Sequence, residues 1–147
     1  MAVAASIVCV TAFIAILDAL VFRQSLPPEY VANYTSPLVP RTFITCMAAA
    51  LDEIKFRLVL MTALVMLLGW WRGRLSPAWF VAAILAAQFV NVAGIVLADP
   101  LYGTLRFWAV GSVWGWLYWR HGWLAALAGH GTTHLLLDPV LLALLRS

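Results

Sequence analysis

Four charged residues stand close together inside an apolar stretch of the chain: Asp52, Glu53, Lys55 and Arg57. If the stretch crosses a membrane, each charge costs on the order of 2.5–3.5 kcal/mol. Glu53 and Arg57 are four residues apart, so on a helix they share a face and can pair. Asp52 points about 100° away from Glu53, where it can pair with Lys55 or act on another group. Ionisable groups inside a membrane usually serve a function, although a network that only fixes packing is the plain alternative.

A second polar group lies in the last apolar stretch, where His130, His134 and Asp138 follow one another at intervals of four residues. On a helix, neighbours at this spacing are about 40° apart, so the three form one stripe. Two histidines four apart can present ligands to zinc, with Asp138, Asp52 or Glu53 completing the shell. The glutamate that a zincin helix needs directly after its first histidine is missing. We therefore predict no metal and no cofactor, with a zinc site as an alternative.

The third apolar stretch contributes Gln88 and Asn91, about 60° apart on one helix face. Amides in a membrane often serve only to hold helices together. If carboxylates, histidines and amides converge in a cavity of low dielectric, however, they can activate water. A desolvated carboxylate is a better base, and histidine and amide donors stabilise a developing oxyanion.

The composition of the whole chain indicates that its solvent is lipid. Of the 147 residues, 65% are hydrophobic and 10% are charged, and the mean hydropathy is +0.96. Soluble domains carry about 25% charged residues. The net charge of +3 comes from scattered basic residues, which suits lipid headgroups and gives no support to a nucleic acid partner. We predict one integral-membrane domain over residues 1–147.

Five apolar segments predict an all-α, polytopic membrane helix bundle with about five transmembrane segments. The segments cover about residues 2–22, 42–71, 77–98, 104–119 and 122–145, the last with a kink near Pro139. Between Arg23 and Arg41 the chain has four prolines, which predict a connection without a regular helix. Gly111 and Gly115 form a small-residue pair that permits close helix packing.

Membrane orientation is nearly balanced by the positive-inside rule, which counts basic residues in short loops. The predicted segments place three arginines on one side and four on the other: Arg72, Arg74 and Arg120, against Arg23, Arg41, Arg106 and Arg146. Tryptophan and tyrosine cluster toward segment ends, as expected of side chains that anchor at the interface.

The order of these motifs resembles the CPBP intramembrane proteases, which include the type II CAAX prenyl proteases. Members carry E-E-x-x-x-R on one membrane helix, F-x-x-x-H on the next and H-x-x-x-N or H-x-x-x-D on a later one. Residues 52–57, Asp-Glu-Ile-Lys-Phe-Arg, resemble the first motif, and residues 130–134, His-Gly-Thr-Thr-His, stand where the last would be. Residues 107–130 resemble the closing region of the family. The resemblance covers about residues 42–140.

The sequence departs from the family at three positions. The first glutamate, the catalytic base of the family, is Asp52, whose side chain is about 1.5 Å shorter. The histidine of the second motif is absent, and Asn91, or less favourably Gln88, occupies its neighbourhood. His134 replaces an asparagine but can still donate a hydrogen bond.

The resemblance implies a glutamic-type intramembrane endopeptidase with divergent motifs. Asp52 would activate water, with Glu53 as its alternate or partner, and Arg57 would hold Glu53. His130 and His134 would bind the oxyanion, and Asn91 would orient water or substrate. The substrate would be a membrane-embedded or lipid-anchored peptide cut near its C-terminus, as in compact sorting branches such as the JDVT-CTERM-associated and myxosortase-like proteins. The expected location is the prokaryotic plasma membrane.

The missing histidine also fits a relative that kept the fold without the chemistry. Such a chain would be a non-catalytic membrane module, for example an immunity or scaffolding protein. The two interpretations differ in what replacement of Asp52 does to function.

Overall fold

The computed structural model describes residues 1–34 and 36–146, the last without its side chain. Within that part of the chain every regular element is a helix, which confirms the all-α prediction. The helices, labelled in chain order, are α1 (Ala2–Val21), α2 (Pro28–Asn33), α3 (Leu38–Arg72), α4 (Pro77–Ala98), α5 (residues 100–121) and α6 (Trp123–Arg146).

Three of the described helices are long and apolar enough to cross a membrane: α1, α3 and α4. Their lengths of 20, 35 and 22 residues match or exceed the roughly 20 residues that a span requires. The chain is therefore an all-helical protein with several candidate spans, as expected from its composition.

The connection before α3 is more ordered than its prolines suggested. Pro28 begins α2, because a proline at the first position of a helix gives up no hydrogen bond. Helix α3 begins at Leu38, four residues before the predicted start, with Pro40 in its first turn. The prediction that the connection from Arg23 to Arg41 lacks a regular helix was therefore wrong for residues 28–33 and 38–41.

The other helix bounds lie close to the predicted ones, with one exception. Helix α4 has the predicted bounds. Helix α5 begins at Pro100 rather than near residue 104, because the Asp99 side chain accepts a hydrogen bond from the backbone N–H of Tyr102 and caps the helix. Pro139 lies inside α6, which continues past it to Arg146.

In the described part of the chain, three π-helical segments occur within or at the end of the helices, and each contains a buried ionisable side chain. They are Leu17–Val21 in α1, Glu53–Met61 in α3 and Thr104–Ala109 in α5. The buried ionisable residues within them are Asp18, Glu53, Arg57 and Arg106. π-Helical segments are rare and occur frequently at functional sites, so these indicate positions where the helix has been altered to place a polar group.

The chain divides into two compact units. The first contains Met1–Ala50 together with the chain from Ala128 onward, and the second contains Leu51–Leu127. In the second unit α4 packs against the later part of α3 through a small apolar core of Met61, Ala83, Ile84 and Ala87. Gly115 lies against Ile84, where an added Cβ would collide with the isoleucine, so the predicted close packing at this glycine is confirmed.

Candidate functional site

The predicted pairing of Glu53 with Arg57 is confirmed in the second unit. Arg57 Nε lies 3.6 Å from Glu53 Oε2, and the side chains are 3% and 0% exposed. Buried ions of opposite charge are tolerable together, whereas either one alone would leave an uncompensated charge in a medium of low dielectric. Glu53 is therefore committed to Arg57.

The second amide that the sequence offered, Gln88, lies against this ion pair. Arg57 donates from Nη2 to Gln88 Oε1 at 2.5 Å and to the backbone carbonyl of Gly111 at 2.7 Å. Gln88 in turn donates from Nε2 to the carbonyl of Phe107 at 3.0 Å. One guanidinium thus connects α3, α4 and α5 through charge-assisted hydrogen bonds, which are stronger than neutral ones.

Gly111 is required at this point because Gln88 fills the space that a side chain would take. A Cβ built on Gly111 would collide with the terminal amide of Gln88. The glycine therefore lets the amide approach the α5 backbone, and it exposes the carbonyl that Arg57 uses. The predicted close packing at Gly111 is confirmed, and its polar purpose was not predicted.

The π segment that carries Glu53 and Arg57 is closed by side-chain hydrogen bonds. Thr62 follows the segment directly, and its hydroxyl donates to the carbonyl of Arg57 at 3.3 Å. The Tyr118 hydroxyl lies 2.6 Å from Thr62 Oγ1. A helix that changes hydrogen-bond register leaves some carbonyls without their usual N–H partner, and hydroxyl groups inside the helix bundle can satisfy them.

Asp52 and Asn91 lie in the same unit as this pair but are less deeply buried. Asp52 is the last residue of the α-helical part of α3, one position before the π segment, and is partly buried. Asn91 follows Gln88 by three residues on α4 and is also partly buried. The assignment of Asn91 as an orienting amide stays a prediction, while Gln88 is the amide that contacts Arg57.

His130 and His134 belong to the first unit. Their rings lie one above the other on α6, with centroids 5.2 Å apart and planes tilted by 34°, and both residues are partly buried. The predicted histidine stripe is therefore confirmed as a local feature of α6. Convergence of these histidines with Asp52 and Glu53 stays a prediction.

Asp138, the third member of that stripe, has partners of its own. Its Oδ2 accepts a hydrogen bond from Thr42 Oγ1 at 2.8 Å and lies 3.6 Å from Arg41 Nε. Arg41 also donates to the carbonyls of Asn33, Ser36 and Asp138, and its guanidinium lies 4.6 Å from the centre of the Tyr34 ring. The sequence suggested this carboxylate as a metal ligand, and its partner Arg41 was not predicted.

A third buried carboxylate, Asp18, lies in the π segment of α1 and is fully buried. It accepts a hydrogen bond of 2.6 Å from the hydroxyl of Tyr30, which lies on α2. The residue pattern around Asp18 predicted no role for it. Its position late in an apolar run, followed by a tyrosine-bearing connection, was the signal that could have found it.

Among residues 1–34 and 36–146 no group of three or more histidine, cysteine, aspartate or glutamate side chains is arranged to hold a metal ion. Searches among family models, curated proteins and solved structures found no match to this chain.

Proposed function

We propose that this chain is an intramembrane endopeptidase related to the CPBP proteases, which hydrolyses a peptide bond near the C-terminus of a membrane-embedded or lipid-anchored substrate. The observation that carries the proposal is the buried Glu53–Arg57 pair, held by Gln88 inside an apolar helix bundle. Residues of three helices form that arrangement. Because its charges are costly to place in lipid, a functional role is the simplest explanation for them.

The proposed chemistry assigns different roles to the two neighbouring carboxylates. Glu53 is fully buried and paired with Arg57, so it serves to fix the local geometry. Asp52 is less buried and points to another face of α3, so it is the group that takes a proton from water. The hydroxide oxygen then bonds to the scissile carbonyl carbon.

Collapse of the resulting tetrahedral intermediate completes the reaction. His130 and His134 stabilise the oxyanion by hydrogen bonding, as the resemblance implies. The proton held by Asp52 passes to the departing amine as the carbon–nitrogen bond breaks. The products are a new carboxyl group and a new amino group, and Asp52 returns to its ionised form. Asn91 orients water or substrate.

The same proposal includes the remaining architecture. Helices α5 and α6 would cross the bilayer together with α1, α3 and α4, which gives the five segments that the sequence predicts. The location would be the plasma membrane of a prokaryote. The partners would be the lipid bilayer and a membrane-anchored peptide or protein substrate.

A non-catalytic membrane module is the second candidate, and one contact favours it. Both ends of the Gln88 amide are used to join helices, through Arg57 and the carbonyl of Phe107. An amide so engaged explains the polar cluster by packing alone. In that case replacement of Asp52 would leave function unchanged.

The experiment that tests the proposal is release of a reporter from a membrane anchor. A soluble reporter carries a C-terminal apolar helix followed by basic residues, and it is co-expressed with the protein. We expect Asp52→Asn and His130→Ala to abolish release. Asp99→Asn is the matched control for the first, because Asp99 is an exposed aspartate and asparagine caps a helix equally well.

His121→Ala is the matched control for the second variant, because His121 is an exposed histidine at the end of α5. Both controls should release the reporter at the wild-type level. Release at the wild-type level by both single variants, Asp52→Asn and His130→Ala, would end the protease assignment and favour the non-catalytic module.

A further inference from the structure

One end of the second unit gathers arginine and tryptophan side chains. Arg72 is the last residue of α3, Arg74 lies in the α3–α4 turn, Arg120 lies in the last turn of α5, and all three are exposed. Trp70 and Trp71 are 86% and 69% exposed at the end of α3. Indole rings exposed to this extent are typical of the interface between lipid tails and headgroups, where the ring is apolar and its N–H is solvated.

Aromatic contacts show that the two turns lie at the same end of the unit. Phe80, in the first turn of α4, stacks on Trp119 near the end of α5, with ring centroids 5.1 Å apart. The Arg72 guanidinium lies 5.2 Å from the centre of the Trp79 ring, and that of Arg120 lies 5.5 Å from the centre of the Trp119 ring. We call these three arginines, with the tryptophans around them, the arginine end.

The net positive charge of the second unit comes from the arginine end. No acidic residue occurs in residues 68–82 or 113–127, which form this end. The remainder of the unit has equal numbers of basic and acidic residues: Lys55, Arg57 and Arg106, with Asp52, Glu53 and Asp99. The excess of three positive charges in residues 51–127 therefore belongs to the three exposed arginines.

In the structure, two of the arginines that balanced the count of basic residues on the two sides of the membrane are largely shielded from solvent. Arg106 is only 7% exposed, whereas Arg72, Arg74 and Arg120 are all exposed. The Arg41 side chain is 10% exposed and pairs with Asp138. Neither presents an exposed positive charge at the end of a span, and such charges are among those that the positive-inside rule counts.

We infer that the arginine end faces the cytoplasm and is seated among anionic phospholipid headgroups. Guanidinium groups bind phosphate through paired hydrogen bonds, and the inner leaflet carries the anionic lipids that attract such groups. The absence of acidic residues from both turns means that no carboxylate of these turns competes with the lipid phosphates. This inference is independent of the proposed protease function.

The inference also assigns the buried ion pair to one half of the bilayer. Arg57 is 15 residues and Glu53 is 19 residues before Arg72 on α3, which corresponds to about 22 Å and 28 Å along an α-helix, both more than half the thickness of the hydrocarbon core. The hydrocarbon core is about 30 Å thick. Glu53 and its neighbour Asp52 therefore lie in the half of the membrane away from the cytoplasm. If the chain is a protease, which rests on the proposed function, the scissile bond lies in that half.

Cysteine labelling at the two ends of α4 tests the orientation. In a Cys9→Ser, Cys46→Ser background, Ser76→Cys places a thiol at the arginine end and Ala98→Cys places one at the other end, both at exposed positions. In intact spheroplasts a membrane-impermeant maleimide should label Ala98→Cys and should label Ser76→Cys only after lysis. Labelling of Ser76→Cys in intact spheroplasts overturns the inference, whether or not Ala98→Cys is labelled as well.

Replacement of the arginines tests why the protein takes this orientation. The triple variant Arg72→Gln, Arg74→Gln, Arg120→Gln should make Ser76→Cys accessible from outside in part of the molecules, whereas the exposed control Arg23→Gln should not. In vesicles of phosphatidylcholine, adding phosphatidylglycerol should raise the unfolding temperature of the wild type and leave that of the triple variant unchanged. Unaltered labelling of the triple variant, or no lipid effect on the wild type, contradicts the inference.

Discussion

At the scale of single residues, the central feature is that the buried Arg57 guanidinium has several polar neighbours. Arg57 contacts a carboxylate, an amide and a backbone carbonyl, each from a different helix. In lipid, no water replaces a lost partner, so removal of any member leaves the others unsatisfied. The local stability of the second unit should therefore depend on the completeness of this cluster.

Arg57→Met tests that dependence. The variant leaves Glu53 buried without its cation, and we expect a loss of about 3–5 kcal/mol in the free energy of unfolding. The control is Lys55→Gln, an exposed charge in the same π segment, which should change it by less than about 0.5 kcal/mol. Unfolding in mixed micelles, followed by tryptophan fluorescence, measures both. Equal effects of the two variants would contradict the account of the ion pair.

Gly111→Ala tests the close approach of Gln88. The new methyl group would displace the amide from Arg57 and Phe107, at a cost of about 1–3 kcal/mol. Gly94→Ala is the control, since a Cβ there meets nothing within 4 Å. In the same micelle assay, combining Gly111→Ala with Gln88→Ala should cost less than the sum of the single changes, because the collision is gone. Strict additivity would show that the two residues do not interact.

Residue patterns predicted part of this cluster and left part of it open. The spacing of Glu53 and Arg57 was sufficient to predict their pairing, because one helix determines it. The choice of Gln88 as the amide at Arg57 depends on how α4 is rotated against α3, which no spacing within α4 reveals. The use of the Gly111 carbonyl depends on the distance between two helices, and it was equally out of reach.

At the scale of elements, polar side chains hold the connection between α1 and α3, which contains α2, in place. Arg41 donates hydrogen bonds to the carbonyls of Asn33, the last residue of α2, and of Ser36, which follows α2. It also pairs with Asp138 on α6. Asp18 in α1 accepts a hydrogen bond from Tyr30 of α2. Prolines predicted an irregular connection here, but side chains from distant parts of the sequence give it a defined structure.

Arg41→Gln should loosen this connection. Glutamine cannot reproduce the several hydrogen bonds of a guanidinium, so cleavage by chymotrypsin after Tyr30 and Tyr34 should become faster. Chymotrypsin does not depend on an arginine, so the substitution leaves its cleavage sites intact. Arg23→Gln, an exposed arginine in the same connection, is the control. Unchanged cleavage in Arg41→Gln would show that Arg41 does not secure α2.

At the scale of the whole molecule, composition and segment length predicted the helical membrane class from sequence alone. Helices α1, α3 and α4 agree with that prediction in type and nearly in their bounds. The π segments were not predicted, because the residue pattern of a helix does not reveal a change in the hydrogen-bond register of its backbone. Each π segment lies at a buried ionisable residue, so the charged residue, the altered helix and the polar cluster occur together.

Peptide-bond hydrolysis by the purified protein tests the central proposal most directly. Wild type and Asp52→Asn, reconstituted in lipid nanodiscs, receive a peptide with an apolar C-terminal helix in water enriched in oxygen-18. We expect the wild type to yield two fragments, with one labelled oxygen in the new carboxyl group, and Asp52→Asn to yield neither above background. Equal labelled product from both proteins would contradict the account.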